Sequence, residues 1–244
     1  MKISIIIPVY NEQVLIQEII RRALLAHLPV GLSREVVVVD DGSNDGTGQA
    51  ISTASLPAEV RVHSTALNHG KGAAVRAGFA LATGDIFLIQ DGDLEYDPLD
   101  NYHKLVAPFV DPAVDVVYGS RFLHARFPDG MAAPNWLANQ VLTRTAAALY
   151  RTRLTDEATG YKVFRRRVLD RFDLTEDGFE FCPEFTAKAL RSGHRIVEVP
   201  VDYRGRNQLQ GKKVRARHFF TGVAALFHHR VSPLRTRNAE QSHG

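Results

Sequence analysis

Apolar and polar positions along the first half of the chain fall into two alternating rhythms. Ile3 to Val9 is an almost unbroken apolar run rich in β-branched residues, the pattern of a strand covered on both faces. Leu15, Ile19, Ala23 and Leu24 then recur at helical spacing between Glu12 and His27. Glu35 to Val39 predicts a second buried strand, a short helix begins near Asp45, and Val60 to Ser64 predicts a weaker strand. Gly72 to Ala82 reads as a helix and Asp85 to Gln90 as a strand. Pro98 suits the first turn of a further helix, and Asp115 to Ser120 is one more strand. This order implies an α/β fold: a mainly parallel, Rossmann-like sheet with helices on both faces.

The second half is less regular. Asn135 to Tyr150 predicts an amphipathic helix, Tyr161 to Arg165 a short strand, Phe185 to Arg191 a helix closed by Gly193, and Arg195 to Tyr203 a strand. Residues 204–213 are glycine-rich, basic and unpatterned, which predicts a mobile loop before a last helix from about Val214 to Arg230. The polar stretch 231–244 predicts a disordered tail. No repeat or linker interrupts the chain, so residues 1–230 are read as one domain, with halves of about 1–120 and 121–230.

Composition narrows the class. The 244 residues are 45% hydrophobic and 23% charged, as in soluble globular proteins. No eighteen-residue apolar run predicts a transmembrane helix, and the start of the chain is too short in apolar residues for a secretion signal. The single cysteine, Cys182, excludes an internal disulfide framework and a cysteine-based zinc site, and reads as a small half-buried apolar residue in a reducing cytoplasm. Net charge is only +3, yet residues 1–120 carry 8 Lys/Arg against 15 Asp/Glu and residues 121–244 carry 22 against 12. An acidic first half suits metal ions; a basic second half suits phosphates or an anionic surface.

Ligands of open parallel sheets bind beyond the carboxyl ends of the strands. Three such ends here carry polar clusters: Pro8-Val9-Tyr10-Asn11-Glu12, Asp40-Asp41-Gly42-Ser43 and Asp91-Gly92-Asp93-Leu94-Glu95. Asp91 and Asp93 repel each other unless a cation or hydrogen bonds offset them, and with Glu95 they are candidates for Mg²⁺ or Mn²⁺. The plainer alternative is an acidic turn whose oxygens cap backbone N–H groups. Asp40 and Asp41 are candidates to bond a base or ribose, or else form an ordinary turn and helix cap. Asn68-His69-Gly70-Lys71-Gly72 precedes a helix, where amides and Lys71 could neutralise phosphate; a plain glycine turn fits the spacing equally well.

With Val38-Val39-Asp40-Asp41-Gly42-Ser43-Asn44-Asp45-Gly46-Thr47, Gly70-Lys71-Gly72 through Gly78, Gln90 through Pro98 and Gly119-Ser120-Arg121-Phe122, the chain resembles family 2 glycosyltransferases. Leu154-Thr155-Asp156, Thr159-Gly160-Tyr161-Lys162, Gly178-Phe179-Glu180-Phe181, Glu198-Val199-Pro200-Val201, Tyr203-Arg204-Gly205-Arg206 and Gly211-Lys212-Lys213 bring it closest to the dolichyl- and polyprenyl-phosphate sugar synthases. The resemblance covers about residues 3–230. It implies a GT-A fold and an inverting transfer from a UDP- or GDP-sugar. Pro8, Tyr10, Glu12 and Asp40 would line the nucleotide site with Asp41 close by, and Asp91, Asp93 and Glu95 would hold the metal on the diphosphate. Arg204 and Lys212 would close over the donor phosphates.

A polyprenyl phosphate acceptor is already ionised and needs no base; Arg121 would bind and align it. A sugar or lipid hydroxyl would need one, and Asp156, Glu180 or Glu184 are the candidates. The plainer alternative for Asp156 is to cap a turn or pair with Arg153. Many relatives carry a second arginine in the stretch matching Asn135 to Thr143; here Arg126 or Arg144 would have to substitute. The last helix, with Phe219, Phe220, Val223, Leu226 and Phe227 flanked by basic residues, is a candidate for peripheral contact with the cytoplasmic membrane face, or else packs on the sheet. The paired His228-His229 reads as a helix end. A non-catalytic nucleotide-sugar binder is the alternative of another class. No motif supports nucleic-acid binding.

Overall fold

The computed structural model describes residues 1–206 and 216–234. Among these, seven strands build one sheet: β1 Lys2–Val9, β2 Ser33–Asp40, β3 Val60–Ser64, β4 Ile86–Ile89, β5 Val116–Ser120, β6 Lys162–Arg165 and β7 Ile196–Pro200, in the order β3-β2-β1-β4-β6-β5-β7. β1 runs parallel to β2 from Lys2 opposite Ser33 to Val9 opposite Asp40, and parallel to β4 on its other side. β6 alone is reversed, antiparallel to both β4 and β5. Its first residue, Lys162, pairs with Tyr118 near the carboxyl end of β5, so the loop of residues 151–161 that feeds it lies on the carboxyl edge of the sheet.

Side chains alternate across a strand, and β1 shows why its run is apolar throughout. Ile3, Ile5 and Ile7 face one layer, made by α1 (Ile16–Leu25) and α4 (Pro98–Val106). Ile6 faces the other, where α3 (Lys71–Leu81), α5 (Ala133–Tyr150), α6 (Phe181–Arg191) and α7 (Ala216–Val231) pack. Short α2 (Thr47–Ser52) follows β2. Phe79, Phe87, Phe164 and Phe185 join α3, the sheet and α6, with neighbouring ring centroids 4.5–5.6 Å apart. Ser4, a polar residue in the β1 run, is buried because its hydroxyl donates to Glu35 and accepts from the Gly84 N–H.

Element ends depart from the sequence expectations for local reasons. α1 starts at Ile16 because the Glu12 carbonyl accepts from Leu15 and Ile16 in a preceding turn. Pro98 does open α4, with Asp97 as its cap accepting from the Leu99 N–H. α6 begins a turn early, at Phe181, whose fully buried ring anchors it. β7 stops at Pro200; residues 201–206 then leave the sheet, and the Arg204 N–H donates to the Glu95 carbonyl. Most of the loop expected at 204–213, with Lys212, and most of the tail expected at 231–244 lie outside the described residues. No helix among the described residues is long and apolar enough to cross a membrane.

Candidate active site

A cavity of about 630 Å³, within the range of small-molecule sites, opens where β1, β2 and β4 end. From the strand ends it is lined by Pro8, Tyr10, Glu12, Asp41, Asp91, Asp93 and Glu95, joined by Lys71 from the start of α3 and by Arg121 just after β5. Three expected residues do not line it. Asp40 is buried behind the wall, its carboxylate accepting from the Ser43 N–H. Asp156 is fully buried, and Arg204 turns to solvent.

The acidic turn after β4 is held by cations. Lys71 Nζ lies 2.5 Å from Asp91 Oδ1; burial opposes its charge, but Asp91 keeps the ammonium above its ordinary pKa. Asp93 lies 3.4 Å from Arg206, and burial, reinforced by Asp91 and Glu95, pushes its pKa up to about 7. Leu94, at φ +54°, gives the turn its left-handed step. Glu95 is employed elsewhere: its carboxylate accepts from the Tyr203 hydroxyl at 3.0 Å and the Arg206 N–H at 2.8 Å. Among the described residues no three His, Cys, Asp or Glu side chains form a ready metal cage. Asp91 and Asp93 remain as a two-carboxylate donor set, which suits a Mg²⁺-like ion that takes its other oxygens from diphosphate and water. Gly160 makes room for this set, since a Cβ there would fall 2.3 Å from Asp91 Oδ2.

The glycines around Lys71 have a different task from an open phosphate loop. The N–H groups of His69 and Gly70 donate to the Asp41 carboxylate, at 2.9 and 2.7 Å, and the Ala73 N–H donates to the Asp177 carbonyl. A Cβ on Gly72 would lie 2.1 Å from the Glu176 carbonyl oxygen. The two glycines leave room for residues 176–178 to pack on the turn, and the Asp41 carboxylate together with the Asp177 carbonyl takes up amides that the sequence left open for phosphate.

Arg121 and Asp156 form a buried bidentate pair. Nε and Nη2 donate to the two carboxylate oxygens at 2.7 Å each, and the Arg121 N–H adds a third bond at 3.0 Å. Burial opposes the arginine's charge, but Asp156 holds its pKa well above the ordinary value. The guanidinium also lies over the rings of Phe122 and Tyr203. Glu198 of β7 fixes Asp156 from behind by accepting from the N–H groups of Thr155 and Asp156. Asp156 thus pairs with Arg121 and not with Arg153. Glu184 is likewise committed, accepting from Thr175, the Glu176 N–H and Lys188, while half-buried Glu180 is not part of the cavity wall. Arg126 and Arg144 are exposed and do not line the cavity; on that wall α5 presents Asn135 and Asn139.

Arg206 was missed by the sequence reading. Its guanidinium donates to both Glu12 oxygens, at 3.2 and 3.0 Å, and approaches Asp93, so it spans two strand ends. No pattern in the sequence marked it: strict alternation from the inward Tyr203 would turn both Arg204 and Arg206 outward, yet only Arg204 is exposed and Arg206 lines the cavity. On α7, Phe219 and Gly222 line the cavity and Leu226 is fully buried, whereas Phe220 and Phe227 are exposed. The helix thus divides its apolar residues between packing and solvent. His229, near its end, is buried against Glu176.

Residues 4–172 match the family model described as Glycosyl transferase family 2. The chain is 31% identical over 225 residues to the dolichol-phosphate mannosyltransferase of Pyrococcus furiosus, covering 88% of this chain and 61% of that protein. It is 30% identical over 204 residues to the undecaprenyl-phosphate 4-deoxy-4-formamido-L-arabinose transferase of Salmonella paratyphi B, covering 83% of this chain and 59% of that protein. The chain therefore spans about three-fifths of the length of these curated relatives. Glucosyl-3-phosphoglycerate synthase from Mycobacterium tuberculosis, in complex with Mn²⁺, UDP and phosphoglyceric acid, shares the fold with a TM-score of 0.70 at 22% identity, over 95% of this chain and 79% of that one.

Proposed function

Because the chain belongs to glycosyl transferase family 2 and has the GT-A fold, we propose that it transfers a sugar, with inversion, from a nucleoside-diphosphate sugar to a polyprenyl phosphate. The observation that carries this reading is the meeting of Asp91 and Asp93 with Lys71, Arg206 and Arg121 around one cavity at the carboxyl edge of the sheet. Tyr10, Pro8 and Asp41 line the nucleotide end. Lys71 and Arg206 balance the donor diphosphate, and Asp91 and Asp93 are the residues that would hold Mg²⁺ or Mn²⁺. Such an ion, when bound, stabilises the charge that the departing diphosphate gains.

Arg121 binds the acceptor phosphate in this reading. Asp156 occupies Nε and one hydrogen of Nη2, which leaves the Nη1 side of the guanidinium for a phosphate oxygen. Asp156 is then a positioning residue. That both its oxygens are bonded, and that Glu184 is equally committed, speaks against a hydroxyl acceptor needing either as base. Phe220 and Phe227 of α7, with Leu137 and Val141 of α5, are exposed apolar side chains on helices that border the cavity. They support peripheral contact with a membrane, which a lipid-linked acceptor would require.

The test is transfer from labelled UDP- and GDP-sugars, with Mn²⁺, to undecaprenyl or dolichyl phosphate in detergent. The expected product extracts into organic solvent and is lost with EDTA. Label that stays in water while nucleotide still binds would overturn the lipid-phosphate acceptor.

A further inference from the structure

One buried acid in the cavity wall has an oxygen with no protein partner. Glu157 is fully buried and lines the cavity, and its backbone is fixed from two sides. Its N–H donates to Thr143 Oγ1 of α5 at 3.0 Å, and its carbonyl accepts from Lys162 Nζ at 2.8 Å. Oε1 accepts from Thr186 Oγ1 of α6 at 3.1 Å, whereas Oε2 has no hydrogen-bond partner among the described residues. The ammonium of Lys162 is spent on the carbonyls of Glu157 and Thr159. Burial raises the pKa of the carboxyl above its ordinary value. Lys162 and Arg121 favour its charged form but make no bond to Oε2, and leaving that oxygen unbonded is costly.

The neighbourhood narrows what completes it. Gly160, three residues along the same loop, lies against Asp91 Oδ2, and Glu157 lines the same cavity as that carboxylate. Leu142, Cys182 and Pro183 make this part of the wall apolar. A phosphate would be repelled by a carboxylate, and a hydrocarbon chain would leave Oε2 unbonded. A hydroxyl can donate to the ionised form and accept from the protonated one, and a pyranose carries hydroxyls beside C–H faces that suit an apolar wall. We propose that Glu157 Oε2 bonds a hydroxyl of the sugar being transferred and so helps determine which sugar the site accepts. The inference rests on reading the cavity as a nucleoside-diphosphate-sugar site.

The experiment is calorimetric titration of the wild type, Glu157→Gln and Glu157→Ala, with Mn²⁺, using UDP, GDP and their gluco-, manno- and galacto-configured sugar conjugates. Gln keeps the oxygen facing Thr186 and so tests the role even if Ala unfolds. The expected result is unchanged nucleoside-diphosphate affinity, a loss of about tenfold or more for the preferred nucleotide sugar, and collapse of the preference among epimers. Melting temperature should not fall in Glu157→Gln. Wild-type affinity and epimer ranking in both variants would overturn the proposal. So would a fall in kcat with donor affinity and ranking intact, which would move Glu157 to the acceptor. A folded wild type that binds UDP or GDP but discriminates no sugar would overturn the proposal alone. One that binds no nucleotide at all would overturn the reading beneath it.

Discussion

Replacing Asp156 by alanine would leave the Arg121 guanidinium, only 8% exposed, without its carboxylate and two hydrogen bonds, and the Arg121 main-chain N–H without a third. Breaking a buried ion pair from one side costs ~3–5 kcal/mol, because the surviving charge remains desolvated. At ~2–4 °C per kcal/mol for a chain of this length, the melting temperature should fall by roughly 6–20 °C. Removing both partners, as in Arg121→Met with Asp156→Leu, should recover most of that loss, since apolar replacement of a buried pair is often neutral. Urea denaturation of the wild type, Arg121→Met, Asp156→Leu and the double variant measures the cycle, with Asp156→Ala read beside it. All of these variants should lose transfer, while Asp156→Asn, which keeps the shape and part of the bonding, should retain some. A stability loss under ~1 kcal/mol in Asp156→Ala would refute the buried-pair account. A base role would instead appear as loss of the acidic limb of the pH–rate profile in Asp156→Asn, a limb that a positioning residue leaves in place.

Asp93→Ala should abolish transfer with the melting temperature kept, measured with Mg²⁺ and with Mn²⁺. The pKa of Asp93 is raised from 3.8 to about 7, so the stability its proton supplies is present at low pH and lost as pH rises through 7. Added Mn²⁺ should therefore raise the melting temperature more at pH 8 than at pH 6. Glu35 is the opposite case: hydrogen bonds from Lys2, Ser4 and Thr83 outweigh its burial and lower its pKa from 4.5 to about 2. Its contribution is present above about pH 4.5 and is lost as pH falls towards 2, so Glu35→Gln should cost roughly 2–3 kcal/mol at pH 7 and almost nothing near pH 2, read from urea melts across that range. Arg206→Ala removes the cation between Glu12 and Asp93 and should raise the donor KM about tenfold, the scale of a charged hydrogen bond. An unchanged KM would place the diphosphate elsewhere.

The strands and their carboxyl-end clusters were legible because β1, β2 and β4 are buried on both faces, which only apolar runs permit; the edge strand β3, largely exposed, gave the weaker pattern it should. The reversal of β6 was not legible, since four residues carry no sign of direction. Nor was the partner of Asp156. Arg153 is near in sequence, but Arg121 is brought to it by the pairing of β5 with β6, a long-range fact. Spacing alone places Glu95 beside Asp93; only the returning segment 203–206 shows that its oxygens also hold that segment in place. Arg204 and Arg206 were not separable, because alternation from the inward Tyr203 sends both to the same side and only the folded path of 203–206 parts them.

The single reversed strand also governs how the protein can be taken apart. β5 hydrogen-bonds only to β6 and β7, both of which come from the second half of the chain, while β4 closes its outer side on β6. A chain severed after Ser120 would bare the edge of β4 and leave β5 with no neighbour at all. Chimaeras that exchange a donor half between relatives at that point would inherit an aggregation-prone edge. The interchangeable unit is the whole seven-stranded sheet, so a new donor preference is better introduced by changing side chains around the cavity than by swapping segments.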